Sequence, residues 1–377
     1  MATTSGAAAL SAVALLTGLP LSAVAQTQQF LVDCTAGKTI SAAIAQGDPR
    51  KPLVVTVRGQ CNENVSITRD DVTLRGDYAS WGGINGASPT LPTLSIEANR
   101  VTVESLIVTG GQDGIFIHAA LNAVVNACTI FYAGRDGIRV QGAHARIQNN
   151  MIGHAEANGL GYQSGRGLLS NNRIEYNKLA GVYLQQTSNI NAFGNTIRWN
   201  GSNGVGIHFN SHASLYSNTI SGNGTGGFSV PRNGIEVRYS TAALFDGNTV
   251  ANNVNVGVQV YAGRVSIVNS TIVSNGMWGL SGDFGSSIDI RGGSVAGNTQ
   301  GGIAMRLRSN LQLAGAAITS HSTYGVRLRL GSALLAVGPT SYLTDNGTWG
   351  LECQDAESSV SDPAFLAGAI DTNCTGF

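Results

Sequence analysis

A glycine returns along most of this chain at a nearly constant interval. Gly114, Gly137, Gly159, Gly181, Gly204, Gly234, Gly257, Gly279, Gly302, Gly325 and Gly350 each precede a β-branched residue or Leu. Successive spacings run from 22 to 25 residues, apart from 30 between Gly204 and Gly234. A period of this length belongs to repeat architectures, in which each unit buries its apolar face only by stacking on its neighbours. The 30-residue step places an insertion of about seven residues within 222–233.

Each glycine opens an alternating segment, as in Ile138-Arg139-Val140-Gln141, Val205-Gly206-Ile207-His208 and Ile235-Glu236-Val237-Arg238. Period two means a short strand with one buried face. A second segment follows (Ala213 onward, Ala242 onward) and then a third (Thr219-Ile220, Thr249-Val250). Asn recurs in both later turns: Asn150, Asn172, Asn195, Asn218 and Asn248 in one, Asn177, Asn200, Asn223, Asn253, Asn275 and Asn298 in the other. Gly and Asn tolerate left-handed backbone, and stacked amides can bond along an axis. Three short strands and three turns per 22 residues describe one coil of a parallel β-helix. Gly, Asn and β-branched residues argue against helices. About thirteen coils are expected, with Ile138, Val140, Ile207, Ile220, Ile235 and Val237 inside.

Composition narrows the partners. Lys plus Arg equals Asp plus Glu at 22, so net charge is zero. No global field draws such a chain onto nucleic acid or an anionic membrane. The apolar stretch 7–21 is followed by Ala23-Val24-Ala25, which reads as an export signal over residues 1–25 despite lacking a basic start. The remaining domain is 26–377, without a membrane span, and the chain is expected to be secreted or periplasmic. Cys34 and Cys61 bracket one end and Cys353 and Cys374 the other; an oxidising compartment would pair them as two disulfides. Cys128 stands where other repeats carry Asn and is expected to be a buried thiol.

The Asn-Gly-Ile-x-Val and Gly-Asn-Thr-Ile units resemble the parallel β-helix repeats of the pectin-lyase-like superfamily, from about Val32 to Phe377. The match is nearest to its secreted bacterial repeat proteins. The resemblance implies a right-handed, all-β solenoid. Lys38-Thr39-Ile40-Ser41-Ala42-Ala43-Ile44 looks like the short N-terminal cap helix of that family. It also implies that the strand after each glycine forms the first sheet, whose outer face carries the active site in the lyases.

The second and fourth residues after each glycine then form two outward ladders, with successive coils about 4.8 Å apart. They include Phe116 and His118, Arg139 and Gln141, Tyr183 and Gln185, Gly206 and His208, Glu236 and Arg238, Gln259 and Tyr261, Ser281 and Asp283, Arg327 and Arg329. The second strands look smaller and more apolar outside, as at Leu215, Leu311 and Leu313. Aromatic rings, amides and guanidinium groups suit sugar faces, hydroxyls and carboxylates. His208, Glu236 and Arg238 on adjacent coils bring base, acid and cation together and are the candidate catalytic group, bordered by 222–233 with Phe228, Pro231 and Arg232. Tyr183, Gln185, Tyr261, Asp283, Arg139 and His118 are candidate substrate-binding residues. A second constellation comprises Asp113, His118, Arg135, Asp136 and Arg139. Arg306, Arg308, Arg327 and Arg329 form a possible anion patch. The competing account is an ordinary solvated sheet, on which Arg238 would be removable without loss of stability.

Three functions remain open at this level. One is a lyase or epimerase on a uronate polymer, which needs a neutraliser at the carboxylate and a base near C5. The second is a non-catalytic glycan-binding or adhesive surface protein, and the third a purely structural scaffold, which fits the two capped ends and low charge. The Asp cluster of the pectate lyases' calcium site, the Asp-Pro-His motif of mannuronan epimerases and the Asp-Asp pair of polygalacturonases are missing. A hydrolase would have Glu236 and Asp283 two coils apart, a separation suited to inversion. No metal site or cofactor is expected; the expected partner is a polysaccharide or cell-surface glycan.

Overall fold

The computed structural model describes residues 26–226, 232–240, 242–369 and 374–375. The export-signal expectation (1–25) and Phe228 and Pro231 lie outside them. The chain winds as a right-handed parallel β-solenoid of about 14 turns. Among the described residues three parallel sheets run along the solenoid: 13 strands in the first, 15 in the second and 14 in the third. A single α-helix, Ile40–Gln46, occurs among the described residues. Thr39 caps it by accepting from the Ala42 amide, and Ile40, Ala43 and Ile44 are buried.

Register follows the alternation. Val205 pairs with Ile235 and Ile207 with Val237, and this pattern repeats along the first sheet. Ile138, Val140, Ile207, Ile220, Ile235 and Val237 are all fully buried. The second sheet corrects one expectation. Leu215, Leu311 and Leu313 point inward and are buried, and the outward positions carry Ser214, Asp289 and Gln312 instead. At these coils the core positions lie one residue from the expected ones, which exchanges the two faces, whereas Leu244 and Asp246 face outward as expected.

The repeating glycine has a different cause from the left-handed turn the sequence suggests. None of these residues has positive φ. At Gly204 a Cβ would stand 2.5 Å from Ile220 Cγ2, 2.7 Å from Asn223 Nδ2 and 2.7 Å from the carbonyl oxygen of Gly234. The period therefore marks a close approach between coils, where any side chain would collide. Left-handed backbone appears elsewhere, for instance at Tyr132, Tyr176, Trp199 and Asn171.

The asparagines form two buried ladders. Asn150, Asn172, Asn195, Asn218 and Asn248 pass Nδ2–H to the next Oδ1 at 2.9–3.0 Å. Asn177, Asn200, Asn223, Asn253, Asn275 and Asn298 do the same at 2.9–3.0 Å. Most rungs also donate Nδ2–H to a backbone carbonyl, as Asn200 does to Ile174 at 3.1 Å. Each side chain thus satisfies turn groups that would otherwise be buried without partners. Cys128 ends the first ladder, its amide donating to Asn150 Oδ1 at 2.8 Å. Its thiol is free and buried, and burial pushes its pKa up to about 12. Cys34 is bonded to Cys61 and Cys353 to Cys374.

His321 continues the second ladder with an imidazole. Its Nδ1 accepts from the Asn298 amide at 3.1 Å, and its Nε2–H donates to the Val295 carbonyl at 3.0 Å. The Asn298 amide requires an unprotonated Nδ1 and therefore the neutral ring. Burial holds the pKa of His321 below the ordinary value, and the Nε2–H bond to the Val295 carbonyl opposes that shift. Because the folded pKa is depressed, the folded state binds fewer protons than the unfolded one. Stability is then fully present above the unfolded value of about 6.5 and falls as pH drops below it. His208, also depressed, acts in the same direction. Urea unfolding at about pH 7 and pH 5 should show this loss. His321→Asn, which keeps one acceptor and one donor, should make it smaller; an unchanged difference between the two pH values would refute this account of His321.

Candidate functional site

Gly206 lies in register between Tyr183 and Glu236 on the first sheet. With no side chain there, the Tyr183 ring lies over it, 2.9 Å from where a Cβ would be. That brings Tyr183 Oη within 3.3 Å of His208 Nδ1, the rings meeting edge to face at 5.1 Å. His208 Nε2 stands 3.7 Å from Glu236 Oε1, and Arg238 Nη2 is 3.1 Å from the same oxygen. Asn203 donates to Glu236 Oε2 at 2.6 Å. Arg238 also sits 5.2 Å from the Tyr261 ring centroid.

Outward therefore does not mean exposed. The Glu236 side chain is 2% exposed, that of His208 12% and that of Arg238 36%. Glu236 is covered by the turn of a neighbouring coil through Asn203. His208 is held below its usual pKa by burial first; Glu236 opposes that shift and Arg238 adds to it. Tyr183 is pushed up by burial, with Glu236 adding to the effect. Near neutral pH this gives an uncharged imidazole beside a protonated phenol. His208 Nε2 and Arg238 Nε are both buried with no protein hydrogen-bond partner. Orphaned buried groups are uncommon, and two of them at one ion pair mark the place as unusual.

Glu236 and Arg238 open onto a cleft of about 340 Å3, also lined by Asn255, Gln259, Tyr261 and Trp278. The remaining candidates separate. Asp283 is buried and gripped by both Arg306 Nε (2.7 Å) and Arg306 Nη2 (2.9 Å), with Gln259 donating at 2.9 Å. An acid so held does not serve as the partner carboxylate of Glu236, which removes the basis for an inverting hydrolase. Arg306 is thereby spent, as is Arg327 on Glu352, so the four-guanidinium anion patch reduces to Arg308 and Arg329. Gln185 is half-buried, one coil from Gly206. His118 is exposed and stacked on Phe116 at 5.5 Å. Arg139 lies four strands before Glu236 and belongs to another cleft. Among the described residues no group of three or more His, Cys, Asp or Glu could hold a metal ion.

The insertion that the sequence places in 222–233 has a counterpart near the N-terminus. Val65 pairs with Leu94, 29 positions later, so an early coil is also enlarged, by residues 87–92 and a short 3-10 turn at Tyr78–Ser80. A stacked aromatic row lies outside the outward ladders that the sequence pattern predicts: Tyr132, His154, Tyr176 and Trp199, with centroids 5.1–5.4 Å apart. Each stands five residues before a repeating glycine, a fixed offset that could have revealed it.

Comparison with known proteins matches the model described as "Right handed beta helix region" over residues 93–231 and 233–361. No curated protein sequence matches the chain. Among solved structures, the A-module of mannuronan C-5 epimerase AlgE4 from Azotobacter vinelandii superposes with TM-score 0.55 and 15% identity, over 85% of this chain and 94% of that one. The AlgE6 A-module from the same organism gives 0.54 and 18%, over 87% and 92%. Pectate lyase Pel9A gives 0.50 and 13%, over 74% and 76%. At such identities the likeness concerns the fold.

Proposed function

The chain belongs to the right-handed β-helix family, and from that premise we propose that it is a polysaccharide-active protein that takes a uronate-containing glycan along its first sheet. The carrying observation is the Glu236–Arg238 ion pair at the cleft, with buried, unpartnered nitrogens on Arg238 and His208. Lyases and epimerases on uronates begin alike: the sugar carboxylate is neutralised and the C5 proton removed. In this reading Arg238 neutralises the carboxylate. Neutral His208 accepts the proton at Nε2, which requires the side chains covering that buried nitrogen to part as the sugar enters, and protonated Tyr183 serves as acid. Glu236, fixed by Asn203, holds Arg238 in place. The neighbours named for mannuronan epimerisation and pectate cleavage support the substrate class through the fold they share.

The mutual neutralisation of Glu236 and Arg238 favours the second reading, a glycan-binding protein without turnover. One experiment separates them. The protein recovered after export, whose mass shows whether residues 1–25 are gone, is incubated with polymannuronate, polyguluronate, polygalacturonate and hyaluronan. Ultraviolet absorbance reports elimination, proton NMR reports C5 inversion, and calorimetry reports binding. Turnover of any polymer supports the first reading, and binding with no product the second. Neither binding nor turnover across the panel refutes both.

A further inference from the structure

The enlarged early coil builds a second cleft on the same face, and we infer that it holds a carboxylated sugar unit of the same polymer, distant from the Glu236 cleft. The cleft is about 430 Å3 and is lined by Asn64, Thr90, Leu91, Pro92, Phe116 and Arg139, among others. One wall is the 87–92 loop, and it is stapled rather than loose. Asn64 Nδ2 donates to the Pro92 carbonyl at 2.8 Å, and Asn64 Oδ1 accepts from the Ser88 amide at 2.8 Å. The Gln112 amide donates to the Leu91 carbonyl at 2.8 Å. The opposite end is fixed by Asp113, fully buried and held by Arg135 through two hydrogen bonds, Nε at 2.8 Å and Nη2 on the second oxygen. A cavity with both walls fixed loses little entropy when it is filled.

Arg139 places the occupant's charge. Arg135 is neutralised by Asp113, and the other lining carboxylate, Glu97, accepts from the Ser95 hydroxyl at 2.9 Å, whereas no carboxylate among the described residues lies within ion-pair distance of Arg139. Among the described residues Arg139 donates only to the neutral Gln163, at 3.1 Å, and stands 5.4 Å from the Phe116 centroid. A half-buried guanidinium beside a ring, with the hydroxyls of Ser66, Ser95 and Thr90 lining the same hollow, suits a sugar carboxylate with its hydroxyl-bearing ring. Phe116 and Glu236 are five register steps apart along the first sheet, roughly 24 Å at about 4.8 Å per step. A polymer lying along the sheet would reach both clefts, and a short oligomer only one.

This inference rests on the reading of the Glu236 cleft, and its test keeps the two apart. Calorimetry is run with acidic oligosaccharides of increasing length, cut from whichever polymer of the panel binds. The wild-type protein should gain about 10-fold or more in affinity once an oligomer spans both clefts, since the second contact becomes intramolecular. In Arg139→Ala, and in Arg139→Gln, which keeps the bulk, that gain should disappear. A gain that persists in both overturns the second cleft and leaves the first reading standing. Binding that survives Arg238→Ala but is lost in Arg139→Ala upholds the second cleft and overturns the first. An acidic series that no variant and no wild-type protein binds overturns both.

Discussion

Asn200→Ala should lower the unfolding free energy by about 3–5 kcal/mol, the largest effect expected from one polar substitution in this chain. Asn200 accepts from the Asn177 amide and from Asn177 Nδ2, at 3.1 and 2.9 Å, and donates to Asn223 Oδ1 at 3.0 Å and to the Ile174 carbonyl. It is fully buried. Truncation leaves at least two donors and one acceptor without partners, each costing about 1–3 kcal/mol in a place water does not reach. Partial relaxation keeps the sum below the arithmetic total. Denaturant unfolding of wild type and variant measures the difference. A loss under about 1 kcal/mol would show that the ladder is decorative and that apolar stacking alone holds the coils.

Arg238→Ala should lower turnover, or affinity if the protein only binds, by about 10²–10³-fold, the range for removing one preorganised charge from such a site. The same substitution should also cost stability, contrary to what an outward position suggests. It strands the buried Glu236 carboxylate with Asn203 as its one remaining hydrogen-bond donor among the described residues. Because Arg238 is itself about a third exposed, the cost should be about 1–3 kcal/mol, below that of breaking a fully buried pair. The double variant Arg238→Ala with Glu236→Gln removes the stranded charge. It should regain most of the stability and none of the function. If the double variant works as wild type does, the pair is a structural ion pair on a solenoid face.

How far the chain could be read in advance follows from how local each property is. Alternation within Ile235–Arg238 tells which way each side chain leaves its own strand, because that direction depends only on position in the pleat. The 22-residue period tells which residues stack. From these two rules came the solenoid, the inward residues of the first sheet and the stacked asparagines. The disulfide pairs followed from the cysteines' places at the two ends. His208, Glu236 and Arg238 were found together for the same reason, being neighbours on adjacent rungs.

What covers an outward side chain is a different matter, and the tertiary structure alone decided it. Glu236 is buried because Asn203, 33 residues earlier, reaches it from the turn of another coil. Asp283 is taken out of play by Arg306, one coil later. The second cleft exists because Asn64 ties down a loop 24 to 28 residues further on. Each of these contacts joins a turn on one coil to a rung or a turn on another, and their meeting depends on turn lengths and side-chain reach. A repeat period carries neither quantity. Periodicity in this sequence therefore determined the scaffold and its ladders. The charge state and accessibility of the site were settled by which turns fold over which rungs, because burial and pairing are properties of three-dimensional neighbours.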